Sequence, residues 1–387
     1  MGKAASLLLL LVLLTASSPI VFKPVSAAAE DSWQLLASMP TARSMVGVAV
    51  VNGKIYAIGG TSGTKTVLGT NEAYDPKTNT WSTKTPMPTP RCLFGIAVYQ
   101  NKIYCIGGAT MNENEGYITG VNEVYDPATD TWENRTSMPN PRARLEANTV
   151  GNEIFLIGGI SRMYPRTFIF PNTTSLNEVY SPETDSWTTK TPLPAASANY
   201  VSAVVDNQIY IIGGESNAVH SLNQVYTVET DSWSLAAPVP ESIWLNSAAA
   251  AATTGVNATK QIYVIGGYYA LSDPREEYDY VSLVYNPKSD SWSFATYVPV
   301  DDHNYAVAVV DDLLYVVGGS SPNNTVPYAY NLQYTPKGYG TPDTLTPSPS
   351  LEPEQPNPFP TALVAATIIV VAIISVSFLL YFKRRKR

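Results

Sequence analysis

The chain has 387 residues, of which 45% are hydrophobic and 14% are charged, so it is long enough to bury one large core or several smaller ones. Its charge is unevenly distributed. Seven of the 24 basic residues lie before residue 30 or in the last five positions, which leaves 17 basic residues against all 32 acidic residues between 30 and 360, a net charge of about −15. A nucleic-acid or anionic-lipid binder needs a basic face, so this balance argues against both classes for that part of the chain.

Residues 1–29 predict a secretory signal peptide. Lys3 precedes the apolar run 7–14, and the segment ends in small residues, with cleavage expected near Ala29. The run is too short to span a bilayer, and a buried N-terminal helix is the competing interpretation. The sequence therefore predicts an exported protein.

From residue 30 to residue 336 the chain repeats a phrase of about 50 residues. An apolar run rich in β-branched and aromatic residues, which is typical of strands, ends in a double glycine in every copy. In five copies a tyrosine follows, then a tryptophan seven residues later and a proline seven residues after that. Such a period, with about four short strands in each copy, predicts a radial array of four-stranded sheets. The six double glycines begin at Gly59, Gly107, Gly158, Gly213, Gly266 and Gly318.

The double glycine, the spaced tyrosine and tryptophan and the phrase Met-Pro-x-x-Arg resemble kelch repeats over residues 31 to about 336. The resemblance implies an all-β fold, a six-bladed kelch β-propeller. It implies little about function, because this architecture hosts scaffolds, adhesins and a few enzymes.

The two ends of the repeat region are incomplete in complementary ways. Trp33 to Pro40 repeats the tryptophan-to-proline step without the strands that precede it elsewhere, and Tyr334 is followed by Thr341 where tryptophan is expected. We expect the N-terminal strand to pair into the sixth blade, which closes the ring and removes the exposed strand edges of an open array.

The order of strands predicts a binding face. In an antiparallel four-stranded blade, the loop between the second and third strands emerges on the same face as the link to the next blade, and the long variable segments are all loops of that kind. Arginines and aromatic rings near these links suit an acidic sugar or an acidic peptide, and Asn199 and Asn304 belong to the same face. The predicted ligand-binding residues are Arg43, Arg91, Arg142, Arg144, Tyr200, Trp244, Asp302, His303 and Tyr305.

An alternative interpretation concerns three of these arginines. Arg43, Arg91 and Arg142 occupy the same position in three consecutive copies, and they can instead bond carbonyl groups of neighbouring blades and tie the ring together.

Catalytic signals in the sequence are weak. The two histidines, His220 and His303, belong to different blades, and no HExxH or CxxC arrangement occurs, so we predict no metal and no cofactor. Copper-radical oxidases with a similar propeller use a set of histidines, tyrosines and a cysteine that this sequence does not bring together. Sialic-acid mutarotases are also similar propellers, and Glu146 with Arg142 and Arg144 is the nearest acid/base candidate.

Two cysteines lie in one predicted blade. A hairpin turn at Gln100 and Asn101 places Cys105 opposite Ile96, which is about 13 Å from Cys92 at ~3.3 Å per residue. We therefore predict two free, buried thiols, although export permits disulfides.

The C-terminal part predicts a membrane anchor. Residues 337–360 are rich in Pro, Ser and Thr and predict an extended stalk. Residues 361–382 carry no charge and reach about 33 Å as a helix, enough for one transmembrane helix. The basic tail 383–387 predicts a cytoplasmic C-terminus and a propeller outside the cell. The expected glycosylation sites are the sequon residues Asn134, Asn172, Asn257 and Asn323.

These features predict a single-pass protein of the cell membrane that holds a glycan or protein ligand on the long-loop face of residues 30–336, with no nucleic-acid partner. One alternative is a sugar-processing enzyme of the sialic-acid mutarotase type that uses an Arg/Glu pocket. A structural or adhesive component without a small ligand is a third interpretation.

Overall fold

In the computed structural model, the repeat region is an all-β ring of six blades, and none of the described residues is helical. The described part of the chain contains no helix that is long and apolar enough to cross a membrane. The predicted signal peptide, transmembrane helix and tail, most of the stalk, and Asn172, Asn323 and Asp302 lie outside the described residues. The described ranges are 29–63, 66–112, 115–162, 173–214, 221–240, 243–244, 249–269, 280–300, 303–321 and 326–340.

Blades 1 to 3 follow one another along the chain after the strand β1 (Ser32–Leu35). Within each blade neighbouring strands are antiparallel, and their order in the sheet, from the ring axis to the rim, follows their order in the chain. Blade 1 comprises β2 (Gly47–Val51), β3 (Lys54–Ile58), β4 (Asn71–Asp75) and β5 (Thr80–Lys84); blade 2 comprises β6 (Gly95–Tyr99), β7 (Lys102–Ile106), a loop hairpin of β8 (Ala109–Asn112) and β9 (Glu115–Ile118), β10 (Asn122–Asp126) and β11 (Thr131–Arg135); blade 3 comprises β12 (Ala147–Val150), β13 (Glu153–Ile157), β14 (Asn177–Ser181) and β15 (Ser186–Thr189).

Blades 4 to 6 continue the same order, and in blade 5 two short strands, β20 and β21, both pair with β22. Blade 4 comprises β16 (Val201–Val205), β17 (Gln208–Ile212), β18 (Asn223–Thr227) and β19 (Ser232–Ala236); blade 5 comprises β20 (Ile243–Trp244), β21 (Ala249–Ala252), β22 (Ile262–Tyr269), β23 (Tyr280–Asn286) and β24 (Ser291–Phe294); blade 6 comprises β25 (His303–Val310), β26 (Leu313–Ser320) and β27 (Asn331–Thr335).

The N-terminal strand completes blade 6, as the sequence predicts. The sheet order is β1-β27-β26-β25, and Trp33 lies opposite Tyr334 in the register of the other Tyr/Trp pairs. The Trp33 indole N–H donates to the Thr296 carbonyl of blade 5 at 3.0 Å. The tryptophan that follows the blade tyrosine in each of the other five blades likewise donates to a carbonyl, which lies four residues after the tryptophan of the preceding blade. The ring is therefore closed by contacts of the same kind as those that join its other blades.

The hydrophobic core lies between neighbouring blades. Tyr56 and Ile58 of blade 1 pack with Ile103 and Tyr125 of blade 2, and similar clusters fill the other interfaces. The interface between blades 5 and 6 also includes Trp33 of the N-terminal strand. Because blades diverge toward the rim, large rigid rings are needed to fill the widening space.

The double glycines allow each second strand to meet the link that enters the next blade. Gly59 has a φ of +67°, and a Cβ there would lie 2.5 Å from the Arg91 carbonyl oxygen. Gly60 N–H donates to that same oxygen at 3.1 Å. Both the backbone conformation and the close approach require glycine at the first position.

The two thiols are free and buried, which confirms the prediction. Cys105 lies opposite Ile96, also as predicted. Cys92 is not part of the first strand, which begins at Gly95; it forms an isolated bridge with Ala109 instead. Burial raises the pKa of both thiols to about 12, so neither is a reactive thiolate at neutral pH.

Candidate functional site

Arg43, Arg91 and Arg142 lie inside their blades and have no exposed side-chain surface. Each pairs with a buried glutamate of its own blade: Arg43 Nη2 with Glu72 Oε2 at 2.8 Å, Arg91 Nη1 with Glu123 Oε2 at 2.6 Å, and Arg142 Nη2 with Glu178 Oε2 at 2.7 Å. Other N–H groups of these arginines bond backbone carbonyls, as Arg142 does with Gly158 at 2.6 Å and Leu156 at 3.1 Å, although Arg91 Nε has no hydrogen-bond partner among the described residues. These arginines do not line the axial pocket described below. Their contacts join strands within one blade, whereas the alternative interpretation placed them on carbonyl groups of neighbouring blades.

The pairing follows the repeats closely. Blade 4 has Ser197 at the arginine position and Gln224 at the glutamate position, and both are buried. Ser197 Oγ donates to the Gly213 carbonyl at 3.1 Å, while the Gln224 amide exchanges hydrogen bonds with the backbone of Ala195. Blade 6 has Leu332 at the glutamate position. Blades 1 to 3 therefore carry a charge at both positions and blade 4 at neither, as expected for a structural unit in which a lone buried charge is costly.

A collar of left-handed residues surrounds the ring axis two positions after the arginine site. Their φ values lie between 51° and 56°. For Met45 and Leu93 this conformation costs about 1–2 kcal/mol, because their side chains offer no local hydrogen bond to offset it. Strain of this kind persists where the surrounding structure enforces it, often at binding sites. The axial collar consists of Met45, Leu93, Arg144, Asn199 and Asn304.

Backbone hydrogen bonds join the collar from blade to blade. Met45 N–H donates to the Asn304 carbonyl at 2.9 Å, Arg144 N–H donates to Leu93 at 2.9 Å, and Asn199 N–H donates to Arg144 at 3.1 Å. The first of these bonds crosses the point where the ring closes. The collar side chains are therefore held at fixed positions around the axis.

The axial pocket opens at this collar and has a volume of about 210 Å³. One sector of its wall is apolar and includes Val46 and Phe94 together with the collar residues of blades 1 and 2. The other sector is polar and includes Arg144, Glu146 and Asn199. The inner strands of blades 1, 2, 5 and 6 line the rest, so residues far apart in the chain form one site.

Glu146 is the carboxylate of this pocket. Its side chain is exposed, but the exposed surface faces the pocket, where protein surrounds it. This desolvation raises the pKa of Glu146 to about 7. Its backbone N–H donates to the Tyr200 hydroxyl at 3.2 Å, and that hydroxyl donates to the Ile157 carbonyl. Tyr200 therefore fixes the backbone that carries the carboxylate.

Arg144 and Asn199 form the polar edge of the pocket. Arg144 Nη1 donates to Asn199 Oδ1 at 2.9 Å, which joins blade 3 to blade 4. The guanidinium is thereby oriented along the collar.

The sequence-based candidates separate into three groups. Arg144, Glu146, Tyr200 and Tyr305 all line the axial pocket, together with Asn199 and Asn304. The buried arginines of blades 1 to 3 do not. For Trp244 and His303 the structure describes the backbone alone: Trp244 pairs with Tyr268 and His303 with Ser320.

Sequence reasoning missed the apolar half of the site, formed by Met45, Leu93 and Phe94. A signal was present, because Met45 and Leu93 hold the position that Arg144 holds in its own repeat. Within the described ranges, no three His, Cys, Asp or Glu side chains cluster closely enough to hold a metal ion.

Known proteins resemble this chain in sequence and in fold. Kelch-like protein 26 of Danio rerio is 30% identical over 193 residues, which are 48% of this chain and 29% of that protein. Kelch-like protein 7 of Rattus norvegicus is 39% identical over 185 residues, which are 48% of this chain and 30% of that protein. The matched region therefore spans about a third of the length of these curated relatives.

The solved structure titled "Structure of YjhT" superimposes with a TM-score of 0.62 over 78% of this chain and 97% of that one, at 14% identity, which shows a shared fold alone. The Attractin/LZTR1 β-propeller family matches residues 103–337, more than half of the chain, and the kelch motif matches residues 42–88. With the six Tyr/Trp blades and the closed ring, these matches show that the chain belongs to the kelch-repeat β-propeller family, in its Attractin/LZTR1 group.

Proposed function

We propose that this protein is a cell-surface interaction module that binds a protein partner, or a glycan on one, at the axial pocket. The observation that carries the proposal is the pocket itself, whose rim is formed by one side chain from each of five blades. Kelch propellers bind protein partners, and a rim assembled from repeats varies its chemistry from blade to blade without altering the fold.

The cell-surface part of the proposal rests on sequence. The leader 1–29, the uncharged segment 361–382 and the basic tail 383–387 fit an exported protein that is anchored once in the membrane. The described end of the chain is compatible with this arrangement. Gly338 N–H donates to Glu30 at 2.9 Å and Gly340 N–H to the Asn257 carbonyl at 2.7 Å, at the ends of strands opposite to the collar. The described part of the chain therefore ends at the face opposite to the collar.

A sugar-processing enzyme is the second candidate function, and one observation favours it. A carboxyl group with a pKa of about 7 in a pocket can donate or accept a proton near neutral pH. Interconversion of the anomers of an acidic sugar, followed by proton NMR and abolished by Glu146→Gln, would support this candidate over the binding module.

The repeats supply variants that test the binding function, and thermal unfolding of each variant measures the strain of about 1–2 kcal/mol that an apolar side chain adds at a left-handed position. Asn199→Leu and Asn304→Met introduce side chains that Leu93 and Met45 already place at the same left-handed position. The purified full-length double variant and the wild-type chain are screened against a displayed peptide library and a glycan array. We expect the double variant to lose the ligands that the wild type selects.

The matched control is Thr83→Leu, which adds an apolar side chain on the exposed outer strand of blade 1, where blade 4 carries Leu235. This control should bind as the wild type does. Unchanged binding by the pocket double variant would refute the axial site. Selection of glycans alone would replace the protein partner with a carbohydrate.

A further inference from the structure

The Glu146 carboxylate enters the axial pocket without a partner. In the described part of the chain its oxygens accept no hydrogen bond and form no ion pair; the one recorded bond of Glu146 is made by its backbone N–H. A carboxylate that faces a desolvated pocket without a counter-charge destabilises the free molecule. Because the unpaired carboxylate lowers the stability of the free protein, we expect the ligand to supply its counter-charge.

The nearby cations are engaged elsewhere. Arg142 is paired with Glu178 inside blade 3, and the equivalent arginines of blades 1 and 2 are paired in the same way. Arg144 is turned toward Asn199 along the collar. Burial alone accounts for the shifted pKa of Glu146, with no opposing effect of a neighbouring cation. The pocket therefore offers an uncompensated negative charge, which argues against the acidic ligand that the arginine pattern suggests.

Aromatic rings line the same space. Phe94, Tyr200 and Tyr305 are each about 95% buried and contribute to the pocket wall. The Phe94 ring already carries a cation, since the Arg91 guanidinium carbon lies 5.7 Å from its centroid. Ring faces around a carboxylate form a favourable environment for an ammonium or guanidinium group.

The size of the pocket limits what enters it. Pockets for drug-sized molecules usually span about 300–1,000 Å³, whereas this one has about 210 Å³. One side chain fits such a space better than an oligosaccharide. The net charge of about −15 between residues 30 and 360 also attracts a basic partner over a distance.

We infer that the axial pocket receives a lysine or arginine side chain of a protein partner, whose cationic group pairs with Glu146 while its methylene chain packs on Met45, Leu93 and Phe94. The inference rests on the proposed binding function and names the chemistry of its ligand. It assigns Glu146 to recognition and Arg144 to the rim of the pocket.

The test uses short capped peptides as probes, each with one central residue: lysine, arginine, Nε-acetyl-lysine or glutamate. Binding to the purified full-length chain is measured by saturation-transfer NMR and isothermal calorimetry. We expect the lysine and arginine peptides to bind, and the acetyl-lysine and glutamate peptides to bind at least tenfold more weakly. Glu146→Gln should weaken binding of the basic peptides at least tenfold, whereas Glu229→Gln, at an exposed turn of blade 4, should not.

Thermal unfolding at pH 8 provides a second readout. Because Glu146→Gln removes an uncompensated charge, it should raise the melting temperature of the free protein while it weakens binding. A loss of binding in this variant is then not a loss of folding.

Equal binding of the basic peptides to wild type and Glu146→Gln, or a preference for the glutamate peptide, would overturn the inference. If Asn199→Leu/Asn304→Met abolishes partner binding and Glu146→Gln does not, the pocket remains the binding site and only its cationic ligand is refuted. If neither variant alters partner binding, the proposed function fails as well.

Discussion

The Tyr334 hydroxyl donates to Asp31 Oδ1 at 2.6 Å, although 303 residues separate the two in the chain. The same carboxylate oxygen accepts the N–H of Thr296, in the preceding blade, at 3.0 Å. Each other pair of neighbouring blades has an equivalent bond, in which a tyrosine and a backbone N–H of the preceding blade meet on one acceptor oxygen. We call this three-group contact the blade latch. At the closure its acceptor comes from the N-terminal segment.

Loss of the closing latch should destabilise the whole ring. Asp31→Ala leaves the Tyr334 hydroxyl and the Thr296 N–H without their acceptor, which should cost about 1–3 kcal/mol in the free energy of unfolding. Deletion of residues 31–40, which removes β1, should have a larger effect and lower the unfolding midpoint of all blades together, as chemical denaturation followed by circular dichroism would show.

Asp31→Asn is the matched control for the closing latch. Blade 1 uses Asn79 as its acceptor, with Tyr74 at 2.8 Å and the Ala37 N–H at 2.8 Å, so the amide preserves the geometry. An unchanged midpoint in the deletion variant would contradict closure by β1.

The blade latches should also make the propeller sensitive to acid. Hydrogen bonds from the latch tyrosine and backbone N–H lower the pKa of the aspartate, most directly at Asp130 and Asp290; at Asp31, Asp185 and Asp231 they outweigh the opposing effect of burial. An unfolded aspartate has a pKa of about 3.9, so this contribution to stability is complete above pH ~4 and is lost as the pH falls through the lower folded values.

We expect the free energy of unfolding to fall between pH 4 and pH 2, measured by denaturant titration at each pH. A variant with asparagine at Asp130, Asp185, Asp231 and Asp290 should have a weaker dependence in this range, because the asparagine of blade 1 makes the same bonds without a titratable group. An identical pH profile for the variant would exclude the latches as its source.

The propeller, its closure and the hairpin register of blade 2 were all predictable, because each depends on spacing that the chain repeats. The direction in which the buried arginine side chains point was not predictable from this spacing. The position of Arg142 on a link between blades fixes only its backbone. Its long side chain can point either toward the ring axis or back into the blade. Glu178, two residues before the blade tyrosine, decides between them, and such a glutamate is present in the three blades that carry the arginine.

Part of the candidate site was also predictable, because the repeated order of strands determines which loops share a face. The order of strands correctly grouped Arg144, Glu146 and Tyr200 on one face. The apolar sector could not be found by a search for polar chemistry, since Met45 and Leu93 read as ordinary core residues until the left-handed collar places them at the axis.

The buried Arg142–Glu178 pair should behave as a unit. Arg142→Met leaves an uncompensated carboxylate in the blade and should cost about 3–5 kcal/mol of stability. The double variant Arg142→Ser/Glu178→Gln, which copies Ser197 and Gln224 of blade 4, should recover much of that loss. Denaturant titration of both variants measures the difference, and additive losses would show that the two residues contribute independently.

Two sequons in the described part of the chain should differ in glycan occupancy. Asn134 is exposed on the outer strand of blade 2, whereas Asn257 is half-buried and its Nδ2 donates to the Asp311 carbonyl at 3.1 Å. If the protein is exported as proposed, we expect a glycan on Asn134 and lower occupancy at Asn257. Peptide mass spectrometry after enzymatic deglycosylation would reveal the pattern, with Asn134→Gln as the control, and the reverse order of occupancy would contradict this prediction.

Binding of a basic peptide should strengthen as the pH rises through 7. Only the ionised form of Glu146 pairs with a cation, and with a pKa of about 7 it is about 10% ionised at pH 6 and about 90% ionised at pH 8. The other titratable groups that line the described pocket wall are Arg144, Tyr200 and Tyr305, and burial raises the pKa of Tyr200 further above this interval.

The affinity of a lysine peptide should therefore increase about ninefold from pH 6 to pH 8 in calorimetric titrations. Glu146→Gln should remove this dependence as well as lower the affinity, because glutamine neither titrates nor carries charge. A dependence that survives in the variant would assign the titration to another group, and an affinity that falls as the pH rises would mean that the protonated carboxyl group, acting as a hydrogen-bond donor, is the form that binds.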